Sequence, residues 1–208
     1  GSGKTSVVNL IARFYDATEG TVAVDGVNVK ARDPEQLRAE IGMVPQKAVL
    51  FRGTIRSNLL WGRENATDGE LWQALEEAQA KDFVAEKKGG LDAPVAQNGK
   101  NFSGGQRQRL TIARALVRKP SILILDDSSS ALDYATDAAL RAAIRQLDYH
   151  PTVFLISQRT ASLQHADRIL VLDDGRQVGL GTHDELLRTC GVYREIYESQ
   201  YKKEGADS

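Results

Sequence analysis

The chain has 208 residues, 41% of them hydrophobic and 26% charged, and its 27 basic and 28 acidic side chains leave a net charge of −1. That balance argues against a dedicated nucleic-acid binder, which carries a basic surface, and the single cysteine, Cys190, excludes an internal disulfide and is compatible with a reducing compartment. No apolar run approaches the roughly 18 residues of a membrane-spanning helix, no signal-peptide pattern opens the sequence, and the length suits one large domain or a domain with a subdomain.

Gly1-Ser2-Gly3-Lys4-Thr5-Ser6 is the back half of Gly-x-x-x-x-Gly-Lys-Ser/Thr, so residue 1 is read as falling inside a motif rather than at a natural start. In such a loop backbone N–H groups cradle phosphates, the lysine reaches the β- and γ-phosphates, and the hydroxyl holds Mg²⁺. Those roles fall to Lys4 and Thr5, with Ser6 a further donor. A mere linker would not be followed by Val7, Val8, Leu10, Ile11 and Phe14 at helical spacing. Residues 21–26 read as a strand ending in a turn, with Val27-Asn28-Val29 as its return. A short helix is expected over 34–38. Residues 41–46 form a strand that stops at Pro45. Gln46 then sits at a strand end, where a neutral amide can contact Mg²⁺ or an attacking water. Taken alone, it reads more simply as an exposed loop residue.

From Lys47 to Lys119 no strand is expected. Helices are predicted over 54–60 and 67–80, the second opening on the capping box Thr67-x-x-Glu70 with Leu71, Leu75 and Ala78 on one face. Residues 87–100 are Gly-rich and read as a loop. Trp61 and Trp72 read as packing residues, since no basic interleaving supports base stacking. Ser103-Gly104-Gly105-Gln106 opens a further helix, with Leu110, Ile112, Ala113, Leu116 and Val117 as its apolar positions. Capping does not explain the two glycines, since Gly is about 1 kcal/mol worse than Ala inside a helix. They are tolerated where something must approach the backbone, and the bare N–H groups of a helix start favour a phosphate.

Ile122-Leu123-Ile124-Leu125 is a continuous apolar run, as in a parallel strand buried on both faces. Asp126 and Asp127 stand at its C-terminal end, where open α/β sheets bind ligands and where an acid can hold Mg²⁺; in isolation either reads equally as a cap of the next segment. Beyond Asp133 the α/β rhythm returns: a helix over 134–147, a buried strand over 152–156 ending at Ser157-Gln158-Arg159, and a strand over 168–172. The Asp173-Asp174-Gly175 turn then leads into a hairpin return. Thr182-x-x-Glu185 is another capping box, placing His183 in a first helical turn. His150 and His165 have no ligand-like neighbours, and no His/Cys metal cluster is present. The tail, 193–203, reads as a helix that turns polar and frays.

With these stretches in place, the chain resembles an ATP-binding cassette (ABC) nucleotide-binding domain of the exporter type over nearly its whole length. Gly1 to Ser6 matches the Walker A loop, Val44-Pro45-Gln46 the Q-loop, and Phe102-Ser103-Gly104-Gly105-Gln106 the signature, with Phe for the commoner Leu. Ile122 to Asp126 matches Walker B and Ser130-Ala131-Leu132-Asp133 the D-loop. Val49-Leu50-Phe51-x-Gly53-Thr54-Ile55-x-x-Asn58 is typical of exporters. The resemblance implies an α/β fold: a P-loop NTPase (RecA-like) core with an antiparallel β part and an inserted α-helical subdomain. Its divisions would be a core of 1–46 and 119–190, a helical subdomain of 47–118 and a C-terminal helix of 191–203, with a transmembrane domain upstream. It implies ATP and Mg²⁺ as ligands. ATP would be held by Gly1, Ser2, Gly3, Lys4, Thr5, Ser6, Gln46 and Asp126, and by Ser103, Gly104, Gly105 and Gln106 acting on a partner's nucleotide. Mg²⁺ would be held by Thr5, Gln46 and Asp126.

Two positions depart from the family pattern. The family usually has Glu, as general base, after the Walker B aspartate, and His at the switch position; this chain has Asp127 and Gln158. Asp is one methylene shorter, and about 1 Å of misplacement can cost on the order of 10²-fold. Gln can hydrogen-bond a phosphate but cannot carry a proton or charge. Asp127, Gln158 and Gln46 are the candidate catalytic residues of a weakened site. Both departures together resemble the degenerate-site half of heterodimeric, often multidrug, ABC exporters. The implied partners are a second half-transporter with the usual Glu and His, and the transmembrane domain of the same chain, at the cytoplasmic face of a cell membrane; no nucleic-acid partner is expected. A homodimeric exporter and a soluble ABC ATPase of chromosomes or ribosomes are the alternatives.

Overall fold

A computed structural model describes residues 3–128 and 130–204, with side chains through residue 200. Its centre is a parallel sheet of β3 (Ile41–Val44), β6 (Ile122–Asp126) and β7 (Thr152–Ile156), with β6 in the middle. Because side chains alternate along a strand, β6 serves two cores. Ile122 and Ile124 join Val8, Ala12, Val24, Leu37 and Ile41 on one side, while Leu123 and Leu125 join the helices on the other. Every residue of β6 is buried, as its unbroken apolar run requires.

The first side is covered by α1 (Lys4–Ile11) and α2 (Pro34–Ala39), the latter started by the Asp33 carboxylate, which accepts from the Glu35 and Gln36 N–H groups, and by Pro34. Between them lies the hairpin of β1 (Ala23–Val24) and β2 (Val27–Asn28). Its turn residues, Asp25 (φ 51°) and Gly26 (φ 76°), are both left-handed, as a two-residue hairpin turn demands. Val29, expected in the returning strand, instead begins a 3-10 turn whose Lys30 N–H donates to the Asn28 side chain.

The other side is helical: α3 (Ile55–Leu60), α4 (Asp68–Glu77), α5 (Lys81–Ala85) and α6 (Gly104–Val117). One buried cluster runs from Leu59, Leu71 and Leu75 through Leu110 and Leu116 to Leu123, Leu125 and Leu140, so these helices share a core with the sheet. One expectation fails here. The region is not free of strands: β4 (Gly53–Thr54) pairs antiparallel with β5 (Pro94–Val95). Two residues on each side, about forty apart in sequence, leave no periodic trace. Trp61 packs at the surface rather than in the core. It caps the C-terminus of α3, is 69% exposed, and lies against Phe51 with ring centroids 5.1 Å apart; Trp72 does pack against the core. The loop before α3 is clasped by buried Asn58, whose Oδ1 accepts from the Phe51 N–H at 2.8 Å while Nδ2 donates to the Phe51 and Thr54 carbonyls at 2.8 and 2.9 Å.

The chain then runs through α7 (Tyr134–Arg145), β7, the hairpin of β8 (Ile169–Asp173) and β9 (Arg176–Gly181), α8 (His183–Thr189) and α9 (Gly191–Glu204). The expected burial of β7 is only partly met. It pairs with β6 on one edge, and its first two residues are exposed. Cys190 is buried beside Leu186 and Tyr193.

Candidate nucleotide site

Gly3 caps α1 in a left-handed conformation (φ 88°), which glycine adopts without penalty, and no side chain caps this helix. The first-turn N–H groups of a helix have no partner within it, so this end is set up for an anion. Thr5, in that turn, donates its hydroxyl to Asp126 Oδ2 at 3.0 Å. Asp126, 8% exposed, ends β6. The next residue, Asp127, is left-handed (φ 44°), with its N–H donating to the Ile156 carbonyl at 2.9 Å. Its Oδ2 accepts from Gln46 Nε2 at 3.1 Å, two residues past the end of β3.

Four residues singled out in the sequence, Thr5, Gln46, Asp126 and Asp127, are thus brought together from the start of one helix and the ends of two adjacent parallel strands. Gly1 and Ser2 lie outside the described residues. Burial, then the neighbouring Asp126, pushes the Asp127 carboxyl above its ordinary range, while Arg159, Lys4 and the Gln46 bond oppose that shift. Among the described residues no three His, Cys, Asp or Glu side chains cluster as a metal site. A hydroxyl, a carboxylate and an amide oxygen beside a helix start set up for an anion nevertheless suit Mg²⁺, which is commonly held by few protein oxygens together with substrate phosphate and water. The residues present fit that ion.

Gln158 lies two residues beyond β7 and is exposed. The following Arg159 places its guanidinium 5.1 Å from the Tyr134 ring centroid and donates to the Leu132 carbonyl at 3.5 Å, joining the switch segment to the D-loop. In the sequence Arg159 reads only as part of a strand's end, and Gln200 of α9, which bonds the same segment, gives no signal as a glutamine in a polar tail.

Ser103 to Gln106 form a second cluster at the head of α6. Ser103 Oγ accepts from the Gln106 N–H at 3.2 Å, and Gln106 Oε1 accepts from the Ser103 N–H at 3.1 Å, completing the expected capping box. The two glycines differ. A Cβ on Gly105 would stand 3.2 Å from the Ala131 carbonyl oxygen, so this glycine is needed for packing on the chain's own D-loop. A Cβ on Gly104 would meet nothing nearer than 3.9 Å. Packing within the chain therefore accounts for a glycine at 105 but not at 104.

Residues 1–130 match the family model described as ABC transporter. An uncharacterised ABC transporter ATP-binding protein of Mycobacterium tuberculosis is 47% identical over 203 residues, covering 96% of this chain and 34% of that protein. The ATP-dependent lipid A-core flippase of Burkholderia orbicola is 45% identical over 206 residues, covering 99% of this chain and 35% of the flippase. Among solved structures, a bacterial Atm1-family ABC exporter with ATP bound superposes with a TM-score of 0.92 at 39% identity, over 96% of this chain and 35% of the exporter. The chain spans about a third of the length of the curated relatives it matches.

Proposed function

We propose that this chain, which belongs to the ABC transporter family, is the ATP-binding and ATP-hydrolysing module of a half-transporter that drives export across a membrane. Its own site holds ATP but turns it over slowly, and its signature completes the competent site of a different half-transporter. Similarity to exporters and a flippase supports export; the membrane-spanning part would belong to the same polypeptide, consistent with this chain covering a third of its relatives.

The observation that carries the reading is the state of Asp127. Its short carboxylate is held by the Gln46 amide at 3.1 Å on a left-handed backbone, with a glutamine rather than a histidine at 158. A general base must lie within about 2.6–3.2 Å of the proton it removes, and here the reach is short and the carboxylate engaged. Thr5 and Asp126 converge to hold Mg²⁺, with Gln46 beside them. Once bound, that ion would neutralise charge on the phosphate oxygens. Lys4 and the first-turn N–H groups of α1 bind and orient the phosphates. Ser103 and the backbone beside Gly104 present a second helix start to the partner's nucleotide.

The test is purification of the whole transporter, followed by vanadate trapping of labelled nucleotide resolved by subunit. A second subunit with Glu and His at the corresponding positions is expected to co-elute and to trap faster. A single subunit type, or γ-phosphate lost equally fast from both sites, overturns the reading.

A further inference from the structure

Beyond β7 the chain crosses residues 157–163 before turning toward β8, and the two ends of this switch segment are anchored differently. The far end is tied to α7: Ser162 Oγ donates to Asp137 Oδ2 at 3.2 Å, and Arg141 pairs with the same carboxylate oxygen at 3.1 Å. The near end is gripped from the C-terminal helix. Gln200 Oε1 accepts from both the N–H and the hydroxyl of Thr160, each at 2.9 Å, and Gln200 Nε2 donates to the Gln158 carbonyl at 2.5 Å.

Three hydrogen bonds therefore run from one amide to residues on either side of Arg159, across 42 and 40 positions of sequence. A primary amide carries donor and acceptor in one plane, so only glutamine offers this pattern at this reach. Thr160 is 3% exposed, which makes its N–H and hydroxyl costly to leave unpaired.

We propose that Gln200 is a positioning residue for the nucleotide switch: it fixes the two peptide planes that flank Arg159, the first of which carries the Gln158 carbonyl, and so sets how Gln158 meets the terminal phosphate. This rests on the reading above, in which Gln158 stands at the switch position of this chain's own nucleotide site and can hydrogen-bond a phosphate. The C-terminal helix is then part of the nucleotide-sensing apparatus, acting through its bonds to Gln158 and Thr160.

The experiment uses the whole transporter. Binding of ATP and of ADP at this chain's site is measured separately with photo-crosslinkable analogues, for Gln200→Leu, Gln200→Glu and Gln158→Ala, alongside thermal stability. Only ATP has a γ-phosphate, so Gln200→Leu should weaken ATP about three- to tenfold, the worth of roughly one hydrogen bond, and leave ADP unchanged. Gln200→Glu keeps the acceptor for Thr160 but sets a carboxylate oxygen against the Gln158 carbonyl, and should show the same ATP-selective loss in a folded protein. If both Gln200 variants lose ATP and ADP equally, or lose neither, while Gln158→Ala is ATP-selective, the inference fails and the site reading stands. If Gln158→Ala itself does not discriminate, the reading of Gln158 falls, and the inference with it.

Discussion

Replacing Asp127 by Glu lengthens the side chain by one carbon–carbon bond, about 1.5 Å. If reach were the whole defect, correcting roughly 1 Å of misplacement would return on the order of 10²-fold in rate, or about 2.7 kcal/mol. Two local features work against it. The Gln46 bond at 3.1 Å is disturbed, which costs about 1 kcal/mol. The backbone at φ 44° suits Asp better than Glu, and holding an ordinary side chain there costs about 1 kcal/mol. What remains is under 1 kcal/mol, so Asp127→Glu should raise turnover at this site only about three- to fivefold. Adding Gln158→His supplies a donor that can bear charge, and charge-assisted hydrogen bonds exceed neutral ones by about 1 kcal/mol or more. The double variant should therefore gain a further tenfold, roughly. Subunit-resolved vanadate trapping in the full transporter reads both. Full recovery of about 10²-fold from Asp127→Glu alone, or loss of all ATPase in Asp127→Asn with the partner's glutamate dispensable, would refute the reasoning.

Gly104→Ala should leave the fold intact, since its Cβ would meet only the Arg107 guanidinium, at 3.9 Å, and should stabilise the helix by up to about 1 kcal/mol; ATPase of the assembled transporter should nonetheless fall at least about tenfold if a nucleotide must approach that backbone. Melting temperature and turnover measured on one preparation decide it. Asn58→Ala removes three partly buried hydrogen bonds around Phe51 and should cost about 2–4 kcal/mol in urea titration. Glu70 is held down to about 2 first by the Thr67 N–H and then by Arg63. Its folded value lies below its ordinary one, so the stabilisation it gives the start of α4 is complete above pH about 4.5 and fades as the pH falls toward 2. Hydrogen exchange of α4 should lose that acid dependence in Glu70→Gln.

The elements with strong local chemistry were legible. Capping boxes at Thr67, Ser103 and Thr182 fixed three helix starts to the residue, because the cap is a contact between neighbours in sequence. The unbroken apolar run of β6 announced a central strand, and its terminal acids announced the site. What could not be read depended on distant partners: the β4–β5 pair, the Gln46–Asp127 bond across 81 positions, and the Gln200 clasp. Gly105 carries a further constraint of this kind, from the Ala131 carbonyl on a loop 26 residues away.

The two-sided packing of β6 ties the site to both halves of the interior. A slip of one residue would carry Ile122 and Ile124 into the helical layer and Leu123 and Leu125 out of it, and would point the terminal carboxylate of Asp126 away from Thr5. Neither wall of this strand can therefore drift in evolution without the other. The acid that meets Thr5 is kept aligned by four aliphatic side chains of its own strand.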